Sequence, residues 1–255
     1  MITVEAANVR KTLSNHILTD GFEPVVDLEL SHGSWLVDGR DGREYLDLFT
    51  MFSSIPVGYN HPKLLEHKDE LAIAAMNKPT NSDIYTAQLA EFVESFFSIT
   101  MPDIFKYGFF IEGGALAIEN TLKASFDWKV RKNMSKGKGE KGSKIIHFNQ
   151  AFHGRTGYTL SLTNTTDPRK TMYFPKFDWP RITNPKLSFP ITDYVLEEVE
   201  KNEKLAVDQI KKAITDNLDD IAALIIEPIQ GEGGDNHFRD EFFTALRQLC
   251  DENEI

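Results

Sequence analysis

The sequence predicts an α/β protein: an incomplete three-layer, mostly parallel sheet preceded by a segment of a smaller α+β domain. Three observations predict it. Short runs rich in β-branched and aromatic residues, Tyr107 to Ile111, Lys144 to Phe148 and Ile221 to Ile226, alternate with stretches of helical spacing, the pattern of a doubly wound sheet. Gly113 and Gly114 separate the first run from the helical stretch Ala115 to Trp128. Two shorter runs near the start flank Asp38-Gly39-Arg40-Asp41-Gly42, a hairpin signal.

In chain order, Thr12 to Leu18 is expected to be a short helix and Val25 to Leu30 a strand. Ser34 to Val37 and Glu44 to Leu48 are the hairpin arms. Gly58 to Pro62 is a turn leading into a helix over Lys63 to Met76, with His61 as a capping or loop residue. Residues 84–98 form an amphipathic helix, because Leu89, Phe92, Val93, Phe96 and Phe97 repeat at helical spacing. The seven basic residues from Lys129 to Lys144 lie among three glycines and read as a solvated loop. Asp167 to Pro190 carries five prolines and resists regular structure. Glu203 to Leu218 and Phe238 to Cys250 are helices. The boundary is expected near residue 60, with 1–60 in the small domain and 61–255 in the large one.

Composition narrows the function. The 255 residues carry 28 Lys and Arg against 39 Asp and Glu, a net charge of −11, which disfavours nucleic acid or an anionic membrane as partner. The single cysteine, Cys250, forms no intrachain disulfide, and its helical position makes it a core residue. Neither a signal-peptide pattern nor an apolar run of spanning length stands in the sequence, so a soluble, cytoplasmic protein is expected. No second ligand stands at metal spacing from His61.

The chemistry converges on three loops, each following an expected strand: Glu112 to Ala115, Phe152 to Thr156, and Glu227 to Gly234. Parallel sheets gather such loops at one edge. A strand–Gly-Gly–helix turn presents free N–H groups and a helix dipole to an anion such as phosphate, although the same turn also serves as a plain connection. With it come an aromatic plane, a guanidinium and two carboxylates, a set suited to a flat phosphorylated cofactor and a carboxylate substrate.

Gly113-Gly114-Ala115-Leu116-Ala117-Ile118-Glu119-Asn120-Thr121-Leu122-Lys123, Phe152-His153-Gly154-Arg155-Thr156 and Glu227-Pro228-Ile229-Gln230-Gly231-Glu232-Gly233-Gly234 resemble the class III pyridoxal-phosphate aminotransferases. The resemblance covers essentially the whole chain. It is nearest to the branch acting on the ε-amino group of L-lysine, through Glu112 to Lys123, Ala151 to Asn164 with Phe174 to Arg181, and Asn77 to Asp83. It implies the fold type I sheet of pyridoxal-phosphate enzymes, pyridoxal 5′-phosphate as cofactor, and L-lysine and 2-oxoglutarate as substrates. It also implies a homodimer at full length. The products would be 2-aminoadipate 6-semialdehyde and glutamate.

The resemblance also implies roles. Gly114 and Ala115 would give backbone N–H groups to the cofactor phosphate, Ala115 standing where the family usually has Ser or Thr. Phe152 would stack on the pyridine ring, or else pack the core. Arg155 would clamp the substrate α-carboxylate, or else make a surface ion pair. Glu227 would lie near the cofactor. Glu232 resembles a switch glutamate that covers and releases a later arginine, or else is a solvated loop residue. His153 reads as structural. The Schiff-base lysine, the aspartate facing the pyridine nitrogen and a second substrate arginine are expected beyond residue 255, because residues 235–255 contain no lysine. Lys123 lies on the phosphate-motif helix and is not given that role. The chain is therefore expected to be the N-terminal portion of a longer enzyme, inactive alone. Two alternatives stay open: a 4-aminobutyrate or other ω-amino-acid aminotransferase, and an inactive fragment that only dimerises or binds the cofactor.

Overall fold

A computed structural model describes residues 2–255. They form two compact units, the first ending at Ile104 and the second running Phe105–Ile255.

In the first unit, helix α1 spans Val9–Ser14, earlier than the expected Thr12 to Leu18. Strands β1 (Trp35–Val37) and β2 (Glu44–Leu46) form the expected antiparallel hairpin, with Leu36 opposite Tyr45. Asp38 anchors its turn. The buried carboxylate accepts from the Arg40 guanidinium and from the N–H groups of Arg40 and Val25, and the Arg40 hydrogen bonds hold it far below the usual carboxylate range. The strand expected over Val25 to Leu30 reduces to one bridge, Val26 to Asp38. The Asp27 side chain accepts from the N–H groups of Glu29 and Leu30 and turns the chain. The helix expected over Lys63 to Met76 is two, α2 (Pro62–Glu66) and α3 (Lys68–Met76), broken at His67. His61 precedes α2 without a side-chain capping bond. Helix α4 spans Ala87–Ile99, and the Thr86 hydroxyl accepts from Leu89 N–H at its start.

The second unit is built on helix α5 (Gly114–Ser135) and strand β3 (Lys144–Phe148). Helix α6 (Thr159–Leu162), strand β4 (Arg181–Ile182) and helix α7 (Asp193–Asp216) follow. Strand β5 (Ile221–Leu224), the short antiparallel pair β6 (Ile229–Gln230) and β7 (Asn236–His237), and helix α8 (Asp240–Asn253) complete it. The main sheet has the order β4-β3-β5, with both pairs parallel. Side-chain alternation along β3 feeds two cores. Ile146 and Phe148 pack with Ile210 of α7 and with Phe242 and Leu246 of α8, while Ile145 packs on the other face with Leu122 of α5. Two apolar faces covered by helices make the three layers.

Four expectations are corrected here. Tyr107 to Ile111 is irregular, because a strand exists only beside a hydrogen-bonding neighbour and none of the described strands pairs with it. The proline-rich stretch does hold a strand, β4, whose Arg181 and Ile182 stand beside His147 and Phe148. Helix α7 begins ten residues before Glu203, capped by the Thr192 hydroxyl. The basic run is a solvated loop only in its second part, the exposed stretch 136–141. Helix α5 takes up its first part as far as Ser135, Lys129 is buried with its amine on Glu254 O, and the Asn133 amide donates to Lys141 O and Asp219 O. Among the described residues no helix is long and apolar enough to cross a membrane.

Candidate functional site

The site begins at the N-terminus of α5. Gly113 sits at φ 88°, in the left-handed region that glycine enters without a Cβ penalty. The first intrahelical bond runs from Ala117 N–H to Gly113 O at 3.1 Å. The N–H groups of Gly114, Ala115 and Leu116 therefore precede the helical ladder, at the positive end of a 22-residue helix.

The loop after β3 lies against this terminus. Gly154, at φ +117°, approaches so closely that a Cβ there would stand 2.5 Å from the Ala115 Cβ and 2.9 Å from the Thr159 hydroxyl. Phe152, two residues earlier, is half-buried, and its N–H donates to Glu227 Oε1 at 2.7 Å. Burial raises the Glu227 carboxyl above its ordinary value, and the Phe152 N–H acts against that. Arg155 is exposed and makes no hydrogen bond or ion pair among the described residues.

The third loop closes on the second. Gly233 lies on the Gln150 carbonyl, where a Cβ would stand 2.1 Å from the oxygen. Gln230, fully buried, donates to Asn149 O at 3.0 Å and accepts from Asn184 and Asn236 at 2.7 and 2.9 Å. Asn184 also donates to Gln150 Oε1 at 2.9 Å. Glu232 is exposed and pairs with Lys170 at 2.7 Å. At the surface such a pair contributes about 0–1 kcal/mol.

His153 is buried with its Nε2 unpaired, and burial pushes the ring down to about 4, so it is neutral near pH 7. It has the character of a structural residue. Among the described residues no group of three His, Cys, Asp or Glu is placed to hold a metal.

The structure thus links Ala115 to the Phe152–Arg155 loop through Gly154, and that loop to Glu227 through the Phe152 N–H. Glu232 faces Lys170. Sequence reasoning missed the residues that do the linking: Glu119, Thr156, Gln230, Asn184 and Asn236. Glu119, 8% exposed, accepts from the Thr156 hydroxyl and from Tyr158 N–H. One signal could have found it. The buried stripe of α5 includes Glu119, Leu122, Lys129 and Asn133, so polar residues occupy core positions of the helical period, and such residues must find partners. The amide ladder has no comparable periodic mark.

The donor set fits a phosphorylated ring. N–H groups outside the helical ladder suit a phosphate, the glycines admit close approach, and an unpaired guanidinium stands one residue beyond Gly154.

The family model described as Aminotransferase class-III matches residues 19–255. The L-lysine-epsilon aminotransferase of Amycolatopsis lactamdurans is 46% identical over 249 residues, covering 96% of this chain and 55% of that one. A solved lysine aminotransferase from M. tuberculosis is 47% identical with a TM-score of 0.93, covering 98% of this chain and 58% of that one. The 4-aminobutyrate aminotransferase of Mycosarcoma maydis is 34% identical over 261 residues, covering 93% of this chain and 50% of that one. The chain spans about half the length of the curated relatives it matches.

Proposed function

Because the chain belongs to the class III aminotransferases, we propose that it forms part of a pyridoxal-phosphate enzyme moving the ε-amino group of L-lysine to 2-oxoglutarate. The observation that carries the reading is the loop Phe152–Arg155, wedged between the α5 terminus and Glu227, with a guanidinium free to meet a carboxylate. The choice of lysine rests on 46% identity to an L-lysine-epsilon aminotransferase against 34% to a 4-aminobutyrate aminotransferase.

Pyridoxal 5′-phosphate, when bound, supplies an electrophilic carbonyl and an electron-accepting ring. The N–H groups of Gly114 and Ala115 hold its phosphate; with no hydroxyl on Ala115, the backbone carries that task. Phe152 presents a ring face to the cofactor, a contact worth about 0.5–1.5 kcal/mol beyond burial. Glu227 fixes the Phe152 backbone and sets the local charge. Arg155 binds the α-carboxylate of L-lysine in a planar, bidentate pair, leaving the ε-amino group directed toward the reacting centre. Glu232 is the switch carboxylate that exchanges cationic partners between the two half-reactions; here its partner is Lys170. The covalent lysine, the pyridine-facing aspartate and the second arginine come from outside these residues. On this reading residues 1–60 belong to the small domain and 61–255 to the first part of the large one, within a cytoplasmic homodimer.

The test compares kcat/KM for L-lysine, L-ornithine and 4-aminobutyrate, each with 2-oxoglutarate, on the intact subunit. L-Lysine should lead by about tenfold or more. A lead for 4-aminobutyrate removes the lysine assignment and puts the 4-aminobutyrate reading in its place.

A further inference from the structure

We propose that Glu119 is a positioning residue for substrate recognition: its buried carboxylate sets where Arg155 stands. The proposal rests on the reading of Arg155 as the carboxylate clamp. Arg155 has no side-chain partner among the described residues, so the backbone on either side decides its place.

On the N-terminal side, Gly154 is pressed against Ala115, its carbonyl accepts from the Thr163 hydroxyl at 2.6 Å, and His153 N–H donates to the same hydroxyl at 3.1 Å. On the C-terminal side, the Thr156 N–H donates to the Thr159 hydroxyl at 3.0 Å. The Thr156 hydroxyl and the Tyr158 N–H both donate to Glu119 Oε1, the latter at 2.7 Å, and Thr159 N–H points to it at 3.5 Å.

Glu119 forms no ion pair among the described residues, so its compensation comes wholly from this loop. A buried carboxylate without a cation is tolerated only when hydrogen-bonded. The carboxylate and the loop therefore hold one another, and one more observation gives this a direction. Glu119 projects from the second turn of α5, whose first turn carries the N–H groups assigned to the phosphate. A single rigid helix thus fixes the cofactor end through its backbone and the carboxylate clamp through Glu119. The spacing between phosphate and substrate carboxylate is set by about five residues of helix, roughly 7.5 Å of rise. A displaced clamp weakens the hold on the substrate carboxylate in the ground state and the transition state alike, so the loss falls on KM.

The test uses the intact subunit loaded with pyridoxal 5′-phosphate. Glu119→Leu and Thr156→Val remove the acceptor and the donor, while Glu119→Gln and Thr156→Ser keep an acceptor oxygen and a hydroxyl. The first pair should raise KM for L-lysine about tenfold with kcat changed less than about threefold. Amide exchange over residues 155–159 should accelerate in the same two variants. The second pair should restore both readouts to within about threefold of the parent. Should Glu119→Leu fail to fold, Thr156→Val, which deletes one hydroxyl, carries the test alone. Faster exchange with an unchanged KM in Thr156→Val overturns the positioning role. An Arg155→Lys control separates the two ideas. If it raises KM while Thr156→Val does not, the clamp survives and the role of Glu119 falls. If Arg155→Lys leaves KM unchanged, the clamp reading falls and takes the positioning role with it.

Discussion

Gly154 holds the loop cluster together by having no side chain. Its φ of +117° and the 2.5 Å approach of a Cβ to Ala115 leave no room for even a methyl group. Gly154→Ala should destabilise the protein by about 2–4 kcal/mol through backbone strain and overpacking, read as a lower urea midpoint. An unchanged midpoint would mean that the loop yields freely. His147 and His153 make a second prediction at this scale. Burial pushes both rings down to about 4, and the Arg181 guanidinium adds to the effect at His147. Unfolded histidine titrates near 6.5. The unfolded chain thus takes up protons that the folded one refuses, so stability is intact above pH 6.5 and is lost as pH falls toward 4. The loss should reach about 3 kcal/mol per ring. The urea midpoint should begin to fall near pH 6.5, above the carboxylate range, and two of the seven histidines should stay neutral at pH 5.5 by NMR. Seven rings titrating together near 6.5 would contradict this.

At the scale of elements, the charged and amide residues on the buried stripe of α5 are its partners' caps. Glu119 serves the α6 turn, Asn133 serves Lys141 and Asp219, and Lys129 serves the Glu254 carbonyl. Helix α7 depends on a plainer device. Its 24 residues begin at Thr192, whose hydroxyl accepts from Val195 N–H at 3.3 Å. Burying Val199, Ala206 and Ile210 on one face then holds it on the sheet. Thr192→Ala should cost about 1 kcal/mol, measured by denaturation. A loss below about 0.3 kcal/mol would show that packing alone positions the helix start, because such small changes lie within ordinary surface variation.

For the whole molecule, the question is which lysine, if any, within these residues takes the cofactor covalently. A nucleophilic lysine needs an amine that is desolvated, free of strong partners and close to the phosphate cradle. Lys129 is desolvated, and burial lowers its pKa. Its amine, however, bonds Glu254 O, and it stands 15 residues after Gly114, about 22 Å along the helix. Lys170 is held by Glu232, and Lys144 by Asn217. Borohydride reduction in the presence of pyridoxal 5′-phosphate, followed by peptide mapping, should leave no lysine of these residues labelled stoichiometrically. A single labelled lysine among them, with transaminase turnover, would overturn the expectation that the covalent lysine lies outside.

The sequence by itself determined the layered α/β plan, the hairpin, the strands at Lys144 and Ile221, and the three loops. Each of these rests on local information: hydrophobic period, turn residues, and glycine pairs between elements. It read the proline-rich stretch around β4 as irregular, because two residues there carry no period and become a strand only beside β3. It placed a strand at Tyr107 to Ile111, where the right composition lacks a hydrogen-bonding neighbour. It read Lys129 to Lys144 as solvated, whereas Lys129 is buried among partners up to 125 residues away. The tertiary structure alone decided that Gly154 meets Ala115, that Glu227 holds Phe152, and that Glu119 faces Thr156. These contacts join residues 37 to 75 positions apart. Pairings at that separation are chosen by the packing of helices on a sheet, and no local propensity encodes them.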